Sequence, residues 1–199
     1  ALKRKEAHVV GCHLLDPKTG AYNLSDIEKQ HLRRSSVVVS LVVRAQGLIV
    51  KKGNPSGIGS LADLTRENVS FINRQPGSGT RVLLDYELAK LKIKPRRVRG
   101  YEREGTTHME VAAAVASGLV ETGLGVKSAA RALNLDFVAV GHEEYDLVFD
   151  KSFFHSAKGQ RLVTVIRSLP FKQAVEQLEG YNTDNTGSIK SPMTTQRKS

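Results

Sequence analysis

The chain has 199 residues, an apolar fraction of 40% and a formal charge of +10. That is apolar enough for a globular fold of one domain or two small lobes, and no run is long enough for a membrane-spanning helix. A single cysteine, Cys12, excludes an internal disulfide and a cysteine-based zinc site. With no apolar signal-peptide core at the N-terminus, it favours a cytoplasmic placement for the chain as given.

Part of the positive charge is clustered, in Arg33-Arg34, in Lys51-Lys52, in Lys92, Lys94, Arg96, Arg97 and Arg99, and in the tail residues Lys190, Arg197 and Lys198. Such a balance attracts anions of any size, nucleic acid included. No helix-turn-helix, zinc finger or aromatic RNA-binding signature accompanies it, and a solvated basic face is the better account.

Ala1–Ala7 reads as the end of a helix, and His8–Leu15 as a strand closed by His13. That position, just before the turn Asp16–Gly20, is where ligands meet open α/β sheets, although a structural histidine suits it as well. His8 and His13 fall on opposite strand faces, which argues against a shared metal. Leu24–Leu32 suggests a short helix capped by Asn23 or Ser25. Ser36–Val50 is apolar but interrupted by Arg44-Ala45-Gln46-Gly47, so it reads as two strands or as one that bends between lobes. Gly53-Asn54-Pro55 is a turn, and Ser60–Leu64 a short helical segment.

The most informative stretch follows. Val69–Ile72 is a buried strand, Asn73–Gly79 a turn, and Val82, Leu83, Tyr86, Leu88 and Leu91 recur at helical spacing. A helix that begins at Thr80 leaves its first N–H groups unpaired and places positive dipole there. Gly77 and Gly79 allow close approach of a ligand, while Ser78, Thr80 and Arg81 add donors, so the segment can grip a small anion. Equally, Ser78 or Thr80 can simply cap the helix, with Arg81 in solvent. The G-x-x-x-x-G-K-[ST] spacing of a P-loop and the third glycine of a dinucleotide fingerprint are absent.

Arg96–Tyr101 suggests another strand, and Gly105-Thr106-Thr107 leads into an alanine-rich helix, His108–Ser117, ended by Gly118. This start repeats the first: glycine, two hydroxyls, helix N-terminus. Leu119–Val126 and Leu135–Val140 read as strands around a short helix, Lys127–Leu133. His142–Asp146 has metal-ligand residue types without H-E-x-x-H spacing and reads as a solvated turn. Helices are expected over Gln160–Ser168 and Pro170–Leu178, then a loop and a disordered tail after about residue 187. A hydrolase would have to pair Ser78 with His108 and Asp85, but no spacing demands it and the nucleophile elbow is absent, so no catalytic residue is assigned.

Taken together, Leu48–Pro55 with Leu61–Leu64, and Arg74–Arg81, resemble the type 2 periplasmic solute-binding fold. The chain is more closely similar to periplasmic-binding-like domains found beside helix-turn-helix or molybdopterin-biosynthesis modules. His13–Asp16 with Thr19-Gly20-x-Tyr22-Asn23, Arg44-x-Gln46-Gly47-Leu48, Thr107-His108 and Glu144–Leu147 match that family, and the resemblance spans about His8–Gly187.

The resemblance implies two three-layer α/β lobes joined by crossing strands, 1–46 with 147–199 and 47–146. It implies a molybdate- or tungstate-type oxyanion between them, for transport or sensing. The contacts would come from Gly77, Ser78, Gly79, Thr80 and Arg81 at one helix start, Thr106 and Thr107 at the other, and His13 from the facing lobe. Neutral amides and hydroxyls suit a desolvated oxyanion, so no metal ligand and no cofactor beyond the anion is expected. Relatives place the domain in the periplasm or outside the cell, with a transporter or fused DNA-binding module as partner. Such domains open with a strand and a glycine-serine loop that this chain lacks, and Glu121-Thr122 replaces the usual Ala-Asp. The alternatives are a regulatory or nucleic-acid-associated protein using its basic surface, or a metal-binding protein.

Overall fold

The computed structural model describes residues 1–190. In chain order its strands are β1 (Val9–Cys12), β2 (Ser36–Val50), β3 (Phe71–Arg74), β4 (Glu104–Gly105), β5 (Thr122–Val126), β6 (Asp136–Asp150) and β7 (Tyr181–Asn182). The helices are α1 (Leu24–Lys29), α2 (Gly79–Lys90), α3 (His108–Ser117), α4 (Lys127–Ala132), α5 (Lys151–His155), α6 (Ala157–Arg167) and α7 (Leu169–Glu176). The strands lie in the order β1-β6-β2-β5-β3-β4, with β7 also on β2. Pairing is antiparallel from β1 through β5 and parallel from β5 to β4.

Strand β2 is continuous through Arg44-Ala45-Gln46-Gly47 and changes register against β6 at Ser40/Val42 and again at Gln46/Gly47. Such bulges bend a strand and re-aim its side chains without ending it. Gly47 is required there, because a Cβ would stand 2.3 Å from the Val138 carbonyl oxygen. Strand alternation then splits the core: Leu48, Val50, Phe71 and Leu124 pack on one side of the sheet, Ile49, Ile72, Val111 and Val115 on the other. Toward the other ends of β2 and β6 stand two further clusters, Leu2, Ile27, Val38 and Val148, and Val39, Phe149, Phe154 and Val163. Each fully buried side chain of this kind contributes roughly 1.5–3 kcal/mol.

Several expectations change. His142–Asp146 is not a turn but the middle of β6, because pairing with β2 along its length satisfies the backbone of this polar segment. The strand expected over Arg96–Tyr101 is absent: Pro95 opens a 3-10 turn, Pro95–Arg97, and Gly100 turns with φ 94° against the Phe71 carbonyl. Asn23 does not cap α1 with its side chain. It accepts from the Leu14 N–H at 2.7 Å and donates to Asp146 at 2.6 Å, tying the first turn to β6. Helix α5 was not expected. Beyond residue 187 the chain is still ordered as far as Lys190, whose N–H donates to the Val38 carbonyl and whose ammonium meets Glu144 and Asp146. The rest of the expected disordered tail lies outside the described residues.

Candidate functional site

Strand β3 delivers the chain into Gln75–Ser78, where Gly77 takes a left-handed φ of 82° in open space. Ser78 is the N-cap of α2, its hydroxyl accepting from the Arg81 N–H at 3.2 Å. Among the described residues, no hydrogen-bond partner is found for the N–H of Gly79 or Thr80. These are first-turn donors at the positive end of a twelve-residue helix.

His13, just past β1, closes on this point. A Cβ at Gly79 would stand 2.7 Å from His13 Nδ1 and 2.9 Å from Glu143 Oε1, so the contact requires glycine. His13 Nδ1 donates to Glu143 Oε1 at 2.8 Å, and its ring stacks on Tyr145 at 5.0 Å between centroids. An ionised carboxylate only accepts, which places the proton on Nδ1 and leaves Nε2 free for a further partner. The other Glu143 oxygen accepts from Arg44 Nε and from Gln46 Nε2, the latter at 3.0 Å. Gln46 Nε2 also lies 3.4 Å from Thr80 Oγ1. Glu143 is 1% exposed. Burial alone would raise its carboxyl pKa, but the hydrogen bonds and charges of His13 and Arg44 pull it down to about 2. Burial opposes the charge on Arg44, yet the bond to Glu143 outweighs it and raises the guanidinium pKa.

The second helix start is joined to the first by Arg74. Its Nε donates to the Gly105 carbonyl and to Gln75, and its Nη2 to the Thr106 carbonyl at 2.8 Å. Burial, with the Arg44 charge nearby, lowers its pKa. Thr107 caps α3, its hydroxyl accepting from the Glu110 N–H at 3.0 Å. The amide and hydroxyl of Thr106 are both taken by the Glu110 carboxylate, at 2.6 and 2.8 Å. His108 follows, half-buried, with Nδ1 enclosed and unpartnered. Burial first, then the Arg74 and Arg44 charges, push its pKa down to about 4, so the ring is neutral at pH 7.

The structure therefore gathers His13, Gly79 and Thr80 with Arg44, Gln46, Glu143 and, through shared charge effects, Arg74 and His108. The rim of this junction, His13, Arg44, Ser78, Gly79 and His108, is half-buried, and its floor, Gln46, Thr80 and Glu143, is buried. Gly77, Thr106 and Thr107 are exposed. Arg81 turns away: its guanidinium lies 4.1 Å from the centre of the Tyr101 ring, donates to the Arg74 carbonyl and faces Glu102 and Glu104. The expected neutral donors are thus joined by two arginines, two imidazoles and a carboxylate. On β6, Glu144 and Asp146 go to Lys190 and Glu143 to Arg44, so the neighbouring carboxylates do not share one point. Asp85 accepts from the Tyr101 hydroxyl at 2.5 Å, and so is engaged away from Ser78. Cavities lie elsewhere, among them one of about 230 Å³ beside Lys190 and one of about 640 Å³ against α1.

A family model described as PBP superfamily domain matches residues 1–167. The chain belongs to this family. The PBP domain is 35% identical over 181 residues to the uncharacterized protein YvgK of Bacillus subtilis (strain 168), covering 91% of the chain and 58% of that relative's length. Among solved structures it is similar to a substrate-binding domain assigned to a molybdenum ABC transporter of Clostridium difficile. The TM-score there is 0.58 at 16% identity, over 90% of this chain and 79% of the other. A phosphate-bound substrate-binding protein assigned to phosphate ABC transport in Clostridium perfringens gives 0.58 at 14%, over 96% and 82%. At such identities the likeness shows the fold, which is the type 2 periplasmic-binding architecture. Solute-binding domains make up this family, and no described helix of this one is long and apolar enough to cross a membrane.

For the PBP domain, Arg44, Gln46, Arg74, His108 and Glu143 escaped assignment from sequence. The signal present was weak: a polar interruption in an otherwise apolar strand, Arg44-x-Gln46, opposite an acidic one, Glu143-Glu144.

Proposed function

We propose that this domain binds a small oxyanion at the junction of the α2 N-terminus with His13 and Arg44. One observation carries the reading: two first-turn N–H groups without protein partners meet a cluster in which two arginines, Arg44 and Arg74, outnumber the single carboxylate, Glu143. Buried anions need opposite charge and donors aimed at them, and this point offers both. Lobes of 1–46 with 147–199 and of 47–146 would place His13 on one side and the α2 start on the other. The sequence resemblance points to molybdate or tungstate as the anion, and the C. difficile neighbour is assigned to molybdenum transport. A transporter or a fused sensory module would use the occupied state.

Calorimetry with molybdate, tungstate, sulfate and phosphate, on the wild type and on Arg44→Gln, tests this. Saturable binding of at least one anion, weakened by about tenfold or more in the variant, is expected. Absence of heat from all four defeats the reading.

A second reading has its own observation. Lys92, Lys94, Arg96, Arg97, Arg99 and Arg103 are exposed, and none forms an ion pair among the described residues. Such a run favours a polyanion, and duplex DNA affinity falling steeply with salt would support it.

A further inference from the structure

Strand β6 is used from both of its faces. Alternate residues of a strand point to opposite sides, so Glu143 and Tyr145, which hold His13, share one face, and Glu144 and Asp146 share the other. The second face meets the segment 183–190. This segment lies along β2: the Gly187 N–H donates to the Ser40 carbonyl, the Ser40 N–H to the Ser188 carbonyl, and the Lys190 N–H to the Val38 carbonyl. Arg167 clasps the Gly187 carbonyl with two donors. At its end Lys190 sends its ammonium to Asp146 at 2.7 Å and to Glu144. Burial opposes that charge, yet the two carboxylate bonds outweigh it and raise the Lys190 pKa.

Asp146 is 1% exposed, so its charge needs a partner inside the protein. The oxygen that meets Lys190, Oδ2, also accepts from Asn23 Nδ2 at 2.6 Å, and Asn23 is fully buried. Asn23 in turn grips Leu14 twice. Its Oδ1 accepts from the Leu14 N–H at 2.7 Å, and its own N–H donates to the Leu14 carbonyl at 2.9 Å. Leu14 directly follows His13. A continuous path of charge and hydrogen bonds thus joins the segment 183–190 to the backbone that carries His13 into the junction. With Lys190 gone, Asn23 is the sole side-chain donor left to Asp146 among the described residues. The carboxylate must then take up water or a proton, and either change loosens its hold on Asn23. Resting on the small-anion reading above, we infer that Lys190 is a positioning residue for that site. Acting through Asp146 and Asn23, from the opposite face of β6, it holds His13 at the α2 start. Lys190 itself forms no hydrogen bond with the side chains of the junction among the described residues.

The test uses the full chain with Lys190→Met, which keeps the apolar stem without the charge, and Lys190→Arg, which restores the charge. Calorimetry is run with molybdate, tungstate, sulfate and phosphate. The anion that the wild type binds tightest is expected to weaken by about threefold to tenfold in Lys190→Met and to stay within about twofold in Lys190→Arg. Hydrogen exchange of the Leu14 amide, measured without anion, is expected to quicken by at least about tenfold in Lys190→Met, while that of Leu88 in α2 is unchanged. A merely structural role speeds both amides together and leaves affinity as it was. If Lys190→Met does not fold, Lys190→Gln, which still donates to Asp146 without charge, is read in the same two ways. Unchanged Leu14 exchange overturns the inference, and so does an affinity equal to that of a wild type that binds. Silence from all four anions on the wild type defeats the small-anion reading, and Leu14 exchange then decides alone whether Lys190 holds the His13 segment.

Discussion

The two helix starts share one sequence logic and have different fates. Both offer a glycine, two hydroxyls and a run of unpaired amides, and in both a serine or threonine is the cap. At α3 the chain's own Glu110 covers the Thr106 donors in an exposed position, a local arrangement four residues long. At α2 no local carboxylate is available. The neighbours come from β2, β6 and the end of β1, and Glu143 among them is held by three other side chains. Among the described residues both starts keep two first-turn amides without protein partners, Gly79 and Thr80 at α2 and His108 and Met109 at α3, so the cap motif tells where donors are and the surroundings decide which charges meet them.

The comparison breaks first at Glu143. Glu143→Ala leaves Arg44 and Gln46 without their acceptor, and a loss of about 3–5 kcal/mol in urea unfolding is expected. Glu110→Ala, its counterpart in the open, should move the urea midpoint far less. Acid separates the two in a second way. Glu143 has a folded pKa depressed to about 2, so its stabilisation is present above the unfolded carboxyl range and fades as pH falls from about 4.5 through 2. His108 is depressed to about 4, so the unfolded chain takes up a proton first, and stability drops as pH falls from about 6.5 to 4. Thermal melts of His108→Gln should lack that upper slope and keep the lower one. If both slopes survive, the buried placement of His108 is wrong.

Smaller changes sharpen the contrast. Gly79→Ala drives a methyl into His13 and Glu143 and should cost about 1–3 kcal/mol, with a weaker anion response in the same calorimeter. Ser78→Ala and Thr107→Ala each remove a cap and should cost about 1 kcal/mol alike. Thr106→Ala, on the exposed rim, is expected to change stability by less than about 0.5 kcal/mol and to leave anion affinity unmoved. A large loss of affinity there would put the α3 start back into the site.

The local half of this site was legible. Strand, glycine turn and helix over Val69–Leu91 follow from spacing and caps, and the position of His13 at a strand end follows from its turn. What could not be read was pairing at long range. Arg44 and Glu143 face each other only because β2 and β6 run together, and an acidic stretch such as His142–Asp146 looks like a turn until a partner strand supplies its hydrogen bonds. Arg81 shows the converse. Its place in the glycine loop suggested a ligand contact, but an aromatic neighbour twenty residues on, in a segment that is a turn instead of the expected strand, takes its guanidinium.

The long strand pair also governs how the molecule is made. β2 joins Ser36 to Asp150 and Val50 to Asp136, partners roughly a hundred residues apart in the chain. Closure of so long a segment comes late and slowly, and both sets of core residues wait for it. During synthesis the edge of β2 that takes β6 therefore stays open along Ser36–Ser40 until Asp146–Asp150 has emerged, although β5 can already cover Gln46–Val50 on the other side. Refolding on the slower, millisecond-to-second scale follows from that order of assembly.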